Sequence, residues 1–129
     1  MEGFVPFEIA KKLEEKGFKQ DYNIFGYKLI FSDENTIKHI SNIGAYEKGY
    51  FGINVPYPSI NEVLKWLRDE KEIDIVIEPI FIYTDNKYRE YGVSVFATQL
   101  NKPVQCGYFK TWGDAAIAGI NYVVTKNII

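Results

Sequence analysis

Residues 58–79, PSINEVLKWLRDEKEIDIVIEP, constrain the fold more than any other stretch of this chain. They encode a helix, a tight link and a strand in immediate succession. Ser59 is a good N-cap and Glu62 stands three positions later, the spacing of a capping box. Ile60, Val63, Leu64 and Leu67 fall at i, i+3, i+4 and i+7, one apolar stripe on a helix of 3.6 residues per turn. Beyond a charged break, Ile73, Ile75 and Ile77 alternate with Asp74, Val76 and Glu78, the two-residue period of a strand with one well-buried face.

The remaining segments follow the same logic. Pro6 suits position N1 of a first helix, where its missing N–H is no loss. Ile9, Ala10 and Leu13 give that helix a narrow apolar stripe, and Gly17 with Phe18 fits a Schellman ending. Residues 25–31 (FGYKLIF) and 36–40 read as two strands around a turn at 32–35. Residues 41–58 hold glycines and prolines around a short strand at 50–55, in the most aromatic loop of the chain. A second hairpin joins 73–83 to 90–98 across Thr84-Asp85-Asn86-Lys87, and a third strand of that group spans 104–109. Thr111 caps a last helix with Asp114 three positions on. Ala115, Ala116, Ala118 and Gly119 keep that helix thin enough to approach a sheet closely. Ile117, Ile120, Val123 and Val124 supply its buried area, and 126–129 form a tail.

The order α-β-β-(β)-α-β-β-β-α indicates an α+β fold, an antiparallel sheet with three helices. Its length of 129 residues fits a single domain, with sub-units expected at 1–57 and 58–126. EIAKKLEEK at 8–16 aligns without gaps with EVLKWLRDE at 62–70. The echo fits a duplicated α-β-β-β unit, but two amphipathic helices drawn from Glu, Lys and Leu also resemble each other by chance, and that reading is preferred. Strand order stays open, as does whether the two halves share one sheet.

With 47% apolar residues the chain has material for a core, and a folded rather than disordered chain is the expectation. Ten tyrosines, nine phenylalanines and two tryptophans exceed what such a core needs. Some rings must therefore lie at the surface, where an apolar body with a polar tip suits contact with a partner. No basic leader or long apolar run is present, so a cytoplasmic location without membrane association is the expectation.

Chemical motifs are absent. His39 and Cys106 are the only residues of their kinds, which leaves no intrachain disulfide and no set of zinc ligands. The carboxylates serve caps, turns and polar faces, and none is paired in an apolar setting that would suit acid–base work. No glycine-rich phosphate loop occurs, so no cofactor is expected and no catalytic residue can be assigned. A net charge of −2 argues against a dedicated nucleic-acid binder. Residues 59–126 do run α-β-β-β-α, the element order of a double-stranded RNA-binding domain. Where such a domain places lysines, at the start of its last helix, this chain has Thr111-Trp112-Gly113-Asp114 after a single Lys110.

Aromatic side chains in loops are the remaining candidates. Tyr46, Tyr50, Phe51 and Tyr57 lie in the Gly/Pro-bearing loop; Tyr88, Arg89 and Tyr91 lie near the turn of the second hairpin. Tyr and Arg are over-represented in interface hot spots. The segments FEIAKKLEEKGF, PSINEVLKWLRDEK and FKTWGDAAIAGINYVV resemble small proteins encoded in gut Bacteroides genomes, often in prophage or mobile regions. That resemblance implies a phage or mobile-element accessory protein. It implies no activity, because none is assigned to the family. The expected function is thus non-enzymatic binding of another protein or of a second copy, through exposed tyrosines. A nucleic-acid-binding module at 59–126 and a small carboxylate-based enzyme are the alternatives.

Overall fold

The computed structural model describes residues 3–19, 28–33, 36–40 and 55–129. The fold is α+β, as the element order requires. Nine elements are described, and the chain divides between Glu62 and Val63 into two compact units, 3–62 and 63–129. The division falls inside a helix rather than at 57/58.

The first unit begins with α1 (Phe7–Glu15). Pro6 is its N-cap and not its first helical residue: the ring sets φ to −63°, but ψ is an extended 158°. The Pro6 carbonyl still accepts the first helical hydrogen bond, from the Ala10 N–H at 2.9 Å. Ile9, Ala10 and Leu13 are buried, as their stripe requires. The helix ends as a Schellman motif. Gly17 has φ 96°, its N–H donates to the Glu14 carbonyl, and the Phe18 N–H donates to the Leu13 carbonyl.

Strands β1 (Lys28–Asp33), β2 (Thr36–Ile40) and β3 (Val55–Pro56) form an antiparallel sheet in the order β2-β1-β3. Ser32 and Asp33, expected in the turn, belong to β1, with an irregularity in register between Phe31 and Asp33. Residues 25–27 and 50–54 of the expected strands lie outside the described residues.

The linking helix α2 (Ile60–Lys71) carries both bonds of its capping box. The Ser59 N–H donates to Glu62 Oε2, and the Glu62 N–H donates to Ser59 Oγ, each at 3.2 Å. Ile60, Val63 and Leu67 are buried and Leu64 is half-buried. Glu72, at φ 55°, turns the chain directly into β4.

The second unit is an antiparallel meander, β4 (Ile73–Ile82), β5 (Tyr88–Ala97) and β6 (Val104–Phe109), with α3 (Trp112–Thr125) packed on it. Among the described residues, each half of the chain thus runs helix then three strands. The first strand is central in one sheet and the second strand in the other.

Gly119 fixes the contact between α3 and the sheet. A Cβ there would stand 2.6 Å from Ile75 Cγ2 and 3.1 Å from Val93 Cγ2, so the helix backbone lies directly on these side chains. Strand alternation then assigns the faces. Ile73, Ile75, Ile77, Val93 and Val95 face α3, and Val93 and Val95 on the central strand are fully buried. On β4 only Ile73 is fully buried; Ile75 and Ile77 are half-covered because an edge strand has a neighbour on one side only. Ile117 is likewise half-buried, while Ile120, Val123 and Val124 are buried. The expected tail is ordered as a second Schellman ending, with Asn127 at φ 53° and the Ile128 N–H donating to the Val123 carbonyl. Gln99 Nε2 in turn donates to the Ile128 carbonyl.

Candidate interaction surface

The two long strands β4 and β5 outrun β6. Their pairing continues from Ile73↔Ala97 to Ile82↔Tyr88, whereas β6 ends opposite Tyr91, at Tyr91↔Phe109. Residues 80–82 and 88–90 thus form a two-stranded arm that pairs, among the described residues, only with itself. A ribbon of two strands draws little stability from its own side chains. This one nevertheless carries large rings in water: Tyr83 is 80% exposed, Phe81 53% and Tyr88 50%.

Each face of the arm has its own chemistry. Toward the α3 side, Phe81 stands opposite Arg89 in register and its ring stacks with Tyr83, centroids 6.3 Å apart. Arg89 lies over the Tyr91 ring, with its guanidinium carbon 4.9 Å from the centroid. The opposite face carries Ile80, Ile82, Tyr88 and Glu90, and continues down the meander as Gly92, Tyr108 and Phe96. Ile80 and Tyr108 close over Gly92, where a Cβ would meet them at 3.0 and 3.3 Å. Tyr108 and Phe96 are exposed at 59% and 42%.

The expected site residues divide three ways. Tyr88 and Arg89 are exposed on the arm. Tyr57 is not a surface residue. It is 4% exposed, its ring stacks on Phe4 at 4.6 Å, and burial raises its phenol pKa. The strand-like bridge Phe4↔Ser59 and the hydrogen bond from the Val5 N–H to the Pro58 carbonyl hold that stack in place. Tyr46, Tyr50 and Phe51 lie outside the described residues. Phe81, Tyr83, Phe96 and Tyr108 were missed because they sit inside strands or at a strand end. Extending the alternation of β5 would have placed Phe96 on the face away from Val93 and Val95, whereas Tyr108 reaches that face only because the Cys106 bulge shifts the alternation of β6.

The meander also forms an open groove of about 310 Å³ at its other end, lined by Glu72, Asp74, Phe96, Leu100, Lys102 and Pro103. Its three charged side chains are all exposed to water. Cys106 lies in a bulge: Val93 pairs with Gly107 and Ser94 with Gln105, which leaves Cys106 as the extra residue. Burial pushes its thiol pKa up, away from a reactive thiolate. Among the described residues no group of three or more His, Cys, Asp or Glu could hold a metal ion. At the start of α3 the Asp114 N–H is taken by Thr111 Oγ1 at 3.1 Å, and the Asp114 side chain is an acidic group in the first turn, where phosphate would need a cation. No helix among the described residues is long and apolar enough to cross a membrane.

No protein-family model, curated protein or solved structure matches this chain.

Proposed function

We propose that this chain is a non-enzymatic interaction protein whose contact surface is the aromatic arm of β4 and β5. The observation that carries the reading is the exposure of Phe81, Tyr83 and Tyr88 on a ribbon that the fold does not cover. Three large rings in water are a penalty for an isolated monomer and an asset at an interface, where buried aromatics supply most of the binding free energy. Resemblance of the helices alone extends the reading to an accessory protein of a phage or mobile element, for which we propose a cytoplasmic location.

The test compares the wild type with F81S/Y83S/Y88S. Light scattering at two protein concentrations reads self-association against the 14.9 kDa chain mass, and paired affinity capture reads foreign partners. The proposal predicts that the variant loses the assembly or the partner while its thermal midpoint is unchanged. Equal association by both proteins would contradict it.

A further inference from the structure

Apart from residues 96–97, where the chain turns toward β6, three edges of the meander are available to an added strand, and two are guarded. Along β4, Pro79 removes a donor at mid-strand and Glu78 precedes it. β6 is broken by the Cys106 bulge and by Gly107 at φ 120°, with the Gln105 side chain bonded to both the N–H and the carbonyl of Gly107. The third edge is the side of β5 beyond the end of β6. Residues 88–90 there pair with β4 on one side and, among the described residues, with nothing on the other.

The charges around this slot are one-sided. Arg89 projects from it toward the α3 side, Lys87 stands two residues earlier, and Lys110 follows Phe109 where β6 leaves the sheet. All three are exposed, and none makes an ion pair among the described residues. Glu90 lies on the opposite face beside Ile80, Ile82 and Tyr88, and Asp85 sits out in the turn.

We infer that the slot beside Tyr88–Glu90 binds an extended, acidic segment of a partner protein as a fourth strand in line with β6. Backbone hydrogen bonds from 88–90 hold the added strand, and alternate side chains give it specificity. Carboxylates of the ligand face Arg89 and Lys87, and its apolar residues lie on the face of Tyr88, so the sequence recognised alternates acidic and apolar residues with period two. Asp74, Glu78 and Glu90, spread over the far face, make the same surface a poor site for nucleic acid. The inference rests on the interaction reading above and names the partner chemistry within it.

The probe is a fluorescent peptide of alternating glutamate and valine, roughly eight residues long, with a lysine–valine peptide and an oligothymidylate as comparisons. Amide shifts in a ¹⁵N spectrum locate the binding, and anisotropy measures affinity. The expected result is shifts centred on Tyr88, Arg89 and Glu90, binding that weakens with salt, and a loss on the order of tenfold in R89E but none in K65E. No binding of the acidic peptide, shifts centred elsewhere, equal affinity in R89E, or preference for the oligothymidylate or the lysine peptide would each overturn the inference. If the peptide fails while F81S/Y83S/Y88S still abolishes association, strand addition alone is refuted. If both contrasts vanish, the interaction reading falls with it.

Discussion

Two glycines carry conformations or contacts that no other residue could take without rearrangement. At Gly119 an added methyl group would overlap Ile75, whose Cγ2 sits next to its own backbone and cannot swing clear. Gly119→Ala should therefore destabilise the second unit by about 1–3 kcal/mol through overpacking. Alanine's better helix propensity offsets part of this, about 1 kcal/mol, and urea unfolding measures the net. Gly107 combines φ 120° with a Cβ direction blocked by Phe109, so Gly107→Ala should cost about 1–3 kcal/mol and loosen the bulge. Cys106 next to it titrates above an ordinary thiol because it is partly buried. Its alkylation by iodoacetamide at pH 7.5 should run slower than that of the unfolded chain, and should rise as pH climbs through the shifted pKa. Equal rates for folded and unfolded protein would contradict that environment.

At the level of elements, local chemistry predicted the helices well. The Ser59–Glu62 box, the Gly17–Phe18 ending and the Thr111 cap are each formed by residues within a few positions of one another. Ser59→Ala should cost about 1 kcal/mol, seen as a lower urea midpoint with an unchanged slope. The second hairpin was legible because Thr84–Lys87 is a turn cluster between two alternating runs. What alternation could not give was which strand outruns which. That depends on β6 stopping at Phe109 so that α3 can begin at Trp112, a matter of register between distant segments. The arm was invisible for this reason, and so was the exposure of its rings. Tyr57 failed in the opposite direction. Its Gly/Pro-rich surroundings suggested a surface loop, but Phe4, more than fifty positions away, covers its ring. Amides in the outer arm, 80–82 and 88–90, should exchange with solvent well before those of 91–95, which have neighbours on both sides.

For the molecule as a whole, the division of labour is between covered and uncovered surface. In the second unit, α3 and one face of the meander use the aliphatic residues, and the aromatic surplus is left on the arm and on the face turned away from α3. Composition announced that surplus, though it could not say where it would collect. Site-specific photo-crosslinking in cells decides whether that collection is a contact surface. A photoreactive phenylalanine analogue would replace Tyr83 or Tyr88 on the arm, and Lys65 on the exposed side of α2 as the reference position. Adducts, with a second copy or a foreign protein, are predicted from positions 83 and 88 and not from 65. Adducts from 65 alone, or none from the arm at comparable expression, would contradict the proposed role of the arm.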